Sequence, residues 1–293
     1  MKSYRFPELR TTAVFLLPLT GFLVLFILVP VIGAIVDSLY LEVTFLPARF
    51  AGFENYRWMV RNPGFWQSFA FTLLFVLVSV PLEIVLGLTF ALLLNEKTAA
   101  RGLLRACVLI PWAIPAAVSA RTWELIYNYN YGLANFLWIR LGLSSTPINW
   151  LGSELGAFTS LVCADAWKTT PFVAIILLAG LSAIPEDLYR QAEVDGANFF
   201  RRFTTITLPL IKPAIIVALI FRSVDALRVF DIVYVLTHGG PGGSTTSLSL
   251  YGYNYFLIGD FGYGSAVSVV LFAVALVLSV TYVKIGRFGE DLR

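Results

Sequence analysis

The chain has 293 residues, of which 58% are hydrophobic and only 13% are charged. Soluble domains carry about 25% charged residues, so this composition excludes an ordinary soluble protein, whose surface it could not cover. The formal net charge of +3 is small, and we expect no nucleic-acid partner.

Six apolar runs are long enough to cross a membrane. Their approximate bounds are 12–36, 68–94, 104–127, 156–181, 213–236 and 263–285. A hydrocarbon core about 30 Å thick needs about 20 apolar residues in a helix, and lipid tolerates only helices or closed barrels. Because the runs are too long for barrel strands, the sequence predicts an all-α integral membrane protein with six transmembrane helices. We expect a single membrane domain over 1–293.

The first run follows three basic residues, as the apolar part of a signal peptide would. Such a part has about 7 to 15 residues and ends at a cleavage site of small residues. Run 12–36 is longer and lacks that site, so we expect an uncleaved span.

Basic residues are distributed unequally between the two sides of the predicted membrane. One side has thirteen, namely Lys2, Arg5, Arg10, Lys97, Arg101, Arg105, Arg190, Arg201, Arg202, Lys212, Lys284, Arg287 and Arg293. The other side has four, namely Arg49, Arg57, Arg61 and Arg140. Because basic loops stay in the cytoplasm, we expect both termini and the segment 182–212 to be cytoplasmic.

The segment 182–212 is amphipathic and charged, in contrast to the runs around it. Pro185 suits the start of a helix, and the Asp195-Gly196 pair predicts that this helix ends in a left-handed turn. A second short amphipathic stretch follows, and Pro209 and Pro213 are expected to end it. From the residues alone, a helix lying on lipid and a docking site for a partner protein are equally open.

The stretch "RQAEVDGANFFRRFTTITLP", residues 190–209, resembles the permease signature of binding-protein-dependent importers of the ATP-binding-cassette (ABC) superfamily. The matching residues are Ala192, Asp195, Gly196, Ala197, Ile206, Leu208 and Pro209. The stretch departs from the signature at Arg190 and Gln191, where the family has Glu and Ala. "GFENYRWMVRNPGFWQSFAFTLLF" and "FDIVYVLTHGGPGG" extend the likeness, which is to the MalF-like carbohydrate permeases of the trehalose and maltose type.

This resemblance implies a coupling helix that docks into a groove of an ATP-hydrolysing subunit. The residues that it assigns to this contact are Leu188, Arg190, Ala192, Glu193, Asp195, Gly196 and Ala197. It also implies a second permease subunit, two ATP-binding subunits that hold ATP and Mg, and an extracytoplasmic sugar-binding protein or lipoprotein. No cofactor is expected in this chain, which would lie in the plasma (inner) membrane of a bacterium or archaeon, surrounded by lipid.

Ionisable residues inside the spans are candidate functional groups, because they are costly in lipid. Two sets share a helical face at spacings of three, four and seven residues: Asp165, Lys168, Thr169 and Phe172, and then Arg222, Asp225, Ala226 and Val229. The family resemblance implies a sugar site on the fourth and fifth spans, and all of these residues except Asp225 match its positions. We therefore predict that these eight residues bind the substrate, a sugar by the same resemblance. Spacing also predicts the pairs Arg222–Asp225 and Arg228–Asp231. The alternative is that the charges only tie helices together.

Two other charged positions in the spans receive structural interpretations. Arg121 and Glu124 are expected to pair, and Glu83 is expected to contact a neighbouring helix.

The chain shows no pattern of an enzyme. "THGGPGGSTTS", residues 237–247, lacks the lysine of a phosphate-binding loop, and His238 is the single histidine. We therefore expect a non-catalytic transport subunit. An ion-coupled secondary transporter of a polar solute is the alternative, and such transporters have broken helices around an ion site.

Overall fold

The structure is a computed structural model that describes the backbone of residues 6–96 and 100–287 and the side chains of 14–96 and 100–285. The basic residues Lys2, Arg5, Lys97 and Arg293 lie outside the described residues, as do the side chains of Arg10 and Arg287. The helices in this part of the chain are α1 (Phe6–Leu23), α2 (Val29–Asp37), α3 (Glu54–Arg61), α4 (Pro63–Asn95), α5 (Arg101–Ala113), α6 (Ala116–Ile126), α7 (Leu133–Arg140), α8 (Glu154–Ser182), α9 (Glu186–Val194), α10 (Phe199–Arg202), α11 (Leu208–Leu227), α12 (Asp231–Leu236), α13 (Leu248–Leu257) and α14 (Phe261–Arg287). Two π-helical segments, Val24–Leu28 and Phe203–Thr207, continue α1 into α2 and α10 into α11.

Within the described residues, five continuous helical stretches are long and apolar enough to cross a membrane. They are Val14–Asp37, Pro63–Asn95, Glu154–Ser182, Phe199–Leu227 and Phe261–Ile285. Helices α5 and α6 add a sixth if the bent pair counts as one span. The helical prediction is confirmed.

The third predicted span is not one continuous helix. Helices α5 and α6 meet at an angle of 90°, and Ile114, between them, is extended, with φ −72° and ψ 132°. The residue before a proline is pushed out of the helical region by the proline ring. Pro115 therefore explains why run 104–127 breaks where it does.

The fifth predicted span, 213–236, also differs from the structure at both ends. Pro209 and Pro213 do not end the preceding stretch, because both lie within α11, which the π-helical segment Phe203–Thr207 joins to α10. At the other end, α11 stops at Leu227, and α12 begins only at Asp231. The backbone carbonyl of Val229, between the two helices, accepts a hydrogen bond of 2.7 Å from Ser247 Oγ.

The apolar core that positions the candidate site lies between α4, α8 and α11. Fully buried members include Ala91 of α4, Leu177 of α8 and Ile211 of α11. Small residues allow the close approach that packing within a membrane requires. A Cβ atom added to Gly180 of α8 would lie 2.6 Å from the Cβ of Ala214 of α11, so this crossing has no room for a larger side chain.

The chain divides into two compact units, Met1–Asn62 with Gly252–Val270, and Pro63–Tyr251 with Leu271–Arg293. The first contains an antiparallel pair of two-residue strands, β1 (Tyr40–Leu41) and β2 (Arg49–Phe50), with Tyr40 opposite Phe50. All residues of the candidate site lie in the second.

Candidate functional site

A buried arginine connects three of the spans. The side chain of Arg222, on α11, is 1% exposed. It donates two hydrogen bonds to Glu83 of α4, one of them with Nη2 2.9 Å from Oε1. It also donates to Asp165 of α8 at 2.9 Å and to Asp225 of its own helix at 2.6 Å. This arrangement confirms the predicted Arg222–Asp225 pair and the contact of Glu83 with another helix.

The network continues from Asp225 to a more exposed residue. Asp225 Oδ1 accepts a hydrogen bond of 3.2 Å from Arg228, and these side chains are 50% and 71% exposed. The sequence predicts Asp231 as the partner of Arg228, but in the structure Arg228 turns back to pair with Asp225 of α11. The reason is that α11 ends at Leu227, so the spacing of three residues to Asp231 no longer describes one helix.

Lys168 stabilises the break in the third span. Its Nζ donates to the backbone carbonyls of Ile114, at 2.7 Å, and Trp112, at 3.3 Å. Carbonyls at the end of a helix have no partner within that helix, and a cation there also interacts favourably with the helix dipole. Two donors of this ammonium group are therefore committed to the backbone of another span.

Two adjoining hollows, of about 440 and 280 Å³, lie beside this network, and we call them together the cavity. Both are lined by Thr169, Asp225 and Arg228. An aromatic wall consists of Trp112, Phe172 and Phe221. Phe172 stacks on Trp112 with ring centres 5.7 Å apart and meets the edge of Phe221 at 6.1 Å.

The structure brings all eight predicted substrate-binding residues to the walls of the cavity. These residues are Asp165, Lys168, Thr169, Phe172, Arg222, Asp225, Ala226 and Val229. Both helix breaks reach the same place, because Ala116 and Phe230 line the smaller hollow. Irregular backbone at membrane depth occurs where protein buries it or where it lines a water-filled cavity.

Several side chains at the cavity were not predicted as site residues, among them Arg228, which lines both hollows. Trp112 and Phe221 supply aromatic faces, and Asp231 lines the smaller hollow. Asp231 had a sequence signal, because it is ionisable within an apolar run. The aromatic residues had none, since aromatic side chains are frequent throughout this chain.

The segment 182–212, which we call the coupling segment, contains the left-handed helix end predicted at Asp195-Gly196. Helix α9 stops at Val194, and Gly196 adopts a left-handed φ of +72°. Ala197 N–H donates to the carbonyl of Ala192 at 2.8 Å, and Gly196 N–H donates to that of Glu193 at 3.0 Å. These two bonds define the Schellman motif, in which glycine is preferred because it adopts positive φ without steric cost.

The surface of this segment combines paired charges with unpaired apolar side chains. An ion pair between Arg202 and Glu193 connects α10 to α9. Arg190 stands where the family signature has Glu. It pairs with Glu186 of its own helix at 3.2 Å. Five of the seven residues assigned to coupling are exposed, and Ala192 and Ala197 are half-buried.

Comparison with known proteins identifies the family. Residues 83–286 match the family model of the binding-protein-dependent transport system inner membrane component. This chain belongs to that family. The matched region includes the whole Arg222 network, the cavity walls and the coupling segment of the permease.

Individual relatives agree with this assignment. The permease is 53% identical, over 288 residues, to the trehalose/maltose transport system permease protein MalF of Thermococcus litoralis, covering 98% of this chain and 97% of that one. It is 42% identical, over 238 residues, to the trehalose transport system permease protein SugA of Mycobacterium tuberculosis, covering 80% and 75%. Among solved structures, a bacterial ABC transporter for import of the acidic polysaccharide alginate has a TM-score of 0.82 at 25% identity, covering 94% and 95% of the two chains.

Family membership decides the fold class and the type of function. The prediction of an all-α membrane protein and of an ABC permease subunit is confirmed, and such a subunit is a non-catalytic component of its transporter. The permease does have two broken helices beside a cavity, a feature that ion-coupled transporters share. The family match nevertheless disfavours the ion-coupled alternative.

Proposed function

We propose that this permease forms half of the translocation path for a neutral disaccharide such as trehalose or maltose, and that a second permease subunit forms the other half. The observation that carries the proposal is the cavity, where hydrogen-bonding side chains of α8 and α11 stand beside an aromatic wall. The names of the relatives support the same class of substrate.

The cavity has the groups that a sugar requires. Ligand sites of this kind combine apolar surface with a few polar groups that fix orientation, in volumes of about 300 to 1,000 Å³. Carboxylates such as Asp225 accept hydrogen bonds from sugar hydroxyls, and the ring of Phe172 offers an apolar face. We assign sugar binding to the eight predicted residues, with Arg222 contributing chiefly through the carboxylates that it holds.

The charge of the cavity favours a neutral sugar over an anionic one. Among the described residues, three carboxylates line the cavity, namely Asp165, Asp225 and Asp231. A fourth, Glu83, pairs with Arg222 of the cavity wall. Three cations line the cavity: Lys168, Arg222 and Arg228. The guanidinium of Arg222 is already surrounded by three carboxylates, so it has little attraction left for an acidic ligand such as the one named for the alginate transporter.

Transport requires partners that the coupling segment can move. We assign Leu188, Arg190, Ala192, Glu193, Asp195, Gly196 and Ala197 to the contact with one of two ATP-binding subunits, which bind ATP and Mg. Closure of those subunits on ATP would pull the coupling helices and open the cavity outward, where an extracytoplasmic binding protein releases its sugar. Both chain termini and the segment 182–212 then lie in the cytoplasm, with 1–293 forming one permease domain in the plasma membrane of a bacterium or archaeon.

The test measures ATP hydrolysis by the purified assembly of this permease, its partner permease and the ATP-binding subunits. We expect stimulation by a binding protein loaded with trehalose or maltose, and none when it is offered a disaccharide that contains a uronic acid. Asp195→Lys and Gly196→Pro should abolish the stimulation.

Gly142→Pro is the matched control for Gly196→Pro. Gly142 also has a left-handed φ, +71°, with open space around it, but it lies outside the coupling segment. If stimulation survives Gly196→Pro as well as it survives Gly142→Pro, the coupling assignment is wrong. Equal stimulation by the acidic disaccharide would contradict the neutral-sugar assignment.

A further inference from the structure

Glu83 is a buried carboxylate that the proposed contacts to sugar do not use. It lies in the apolar helix α4, and its side chain is fully buried. Both carboxylate oxygens accept hydrogen bonds from Arg222: Nη2 donates to Oε1 at 2.9 Å, and Nε donates to Oε2. The two bonds hold one edge of the guanidinium group in a fixed plane.

Stability alone does not explain this pair. Taking two charges out of water costs free energy, and replacing a buried ion pair with packed apolar residues is often neutral or stabilising. Helices α4, α8 and α11 are already joined by an apolar core that includes Ala91 and Ile211. The chain therefore keeps two charges where apolar packing would connect the same helices.

The other donors of Arg222 reach two of the carboxylates that line the cavity. Nη1 donates to Asp225 Oδ2 at 2.6 Å, and Nη2 donates to Asp165 Oδ2 at 2.9 Å. Because the guanidinium is planar and rigid, fixing its edge against Glu83 also fixes the directions of these bonds. The orientation of Asp165 and Asp225 thus depends on a residue on the opposite side of the arginine.

We propose that Glu83 is a positioning residue of the sugar site, acting through Arg222 to orient Asp165 and Asp225 without touching the sugar. The inference rests on the proposed function, since it needs a ligand whose hydroxyls donate to these carboxylates. A binding site tolerates displacements of only about 0.5 Å in the groups that contact its ligand. Release of the guanidinium edge therefore weakens binding even though the carboxylates remain.

The experiment measures retention of radiolabelled trehalose by the purified assembly, trapped with ATP and vanadate, over a range of sugar concentrations. Glu83→Gln keeps the shape of the side chain but removes its charge and one of its two acceptors. We expect the half-saturating sugar concentration to rise roughly tenfold, while the variant assembles with its partners. Glu124→Gln is the matched control, because Glu124 is also a carboxylate paired with an arginine in an apolar run, Arg121, but lies outside the cavity.

A second variant, Glu83→Asp, separates positioning from a structural tie. It keeps the buried charge beside Arg222 but shortens the side chain by one methylene, so a purely structural role predicts normal assembly and normal sugar retention. The positioning role predicts normal assembly with weakened retention, because the shorter carboxylate no longer holds the guanidinium edge in the same plane. Normal retention by either variant, or failure of both to assemble, would overturn the proposal. If the unmodified assembly retains no trehalose or maltose, the proposed function itself fails, and this outcome is read from the unmodified protein alone.

Discussion

Lys168 and Ile114 are joined by a hydrogen bond of 2.7 Å between an ammonium group in the middle of α8 and a backbone carbonyl at the end of α5. The bond connects a continuous span to the point where the third span turns by 90°. It places the cation where a proline has left a carbonyl without a helical partner. The break in the third span is thus stabilised by a residue from another helix.

Loss of the ammonium group should therefore weaken the fold around the break. We expect Lys168→Met to lower the free energy of unfolding by about 1.5 to 3 kcal/mol, the range for a hydrogen bond to a charged group. Thermal unfolding of the purified assembly measures this change. Lys212→Met, at an exposed position of α11, should have little effect, and an equal loss in the two variants would refute the role of Lys168.

The aromatic wall of the cavity should contribute directly to sugar affinity. Phe172→Ala removes the ring that touches both Trp112 and Phe221. Because burial of an aromatic face contributes about 1 kcal/mol or more, we expect the half-saturating concentration for trehalose retention to rise at least about fivefold. Phe45→Ala, at a fully exposed position, serves as the control and should leave retention unchanged. Normal retention by Phe172→Ala would remove Phe172 from the site.

Exposed apolar side chains around the turn between α9 and α10 should be required for assembly. Val194, Phe199 and Phe200 are 89%, 68% and 72% exposed, and contiguous exposed apolar surface marks interaction sites. We expect the triple change of these residues to Ser to abolish co-purification of the ATP-binding subunit while the permease stays in the membrane fraction.

The control for this triple variant is the change of Phe45, Leu46 and Phe50 to Ser. These residues are at least as apolar and are 100%, 66% and 69% exposed, but they lie far along the chain from the coupling segment. Retained co-purification in both triple variants would show that the apolar surface has no part in docking.

The crossing of α8 and α11 should not accept a side chain at Gly180. Gly180→Val would place its Cβ 2.6 Å from that of Ala214, and overpacking typically costs about 1 to 3 kcal/mol. We expect a lower unfolding temperature, which differential scanning fluorimetry of the purified permease measures. Gly102→Val, where a Cβ meets open space, isolates the packing effect. Similar unfolding temperatures for the two variants would show that the helices can separate at little cost.

The sequence by itself determined the features that depend on neighbouring residues along the chain. The apolar runs, the helix end at Gly196 and the two helical faces of α8 and α11 follow from local composition and from the 3.6-residue period. The eight predicted site residues reach one cavity, seven of them because they share the predicted helical faces, and Val229 from the break that follows α11. Only the tertiary structure decided which residues from distant segments meet. Glu83 and Arg222 are 139 positions apart, and Lys168 and Ile114 are 54 apart. Such pairs depend on how each helix is rotated against its neighbours, which side-chain packing sets and which no local pattern encodes.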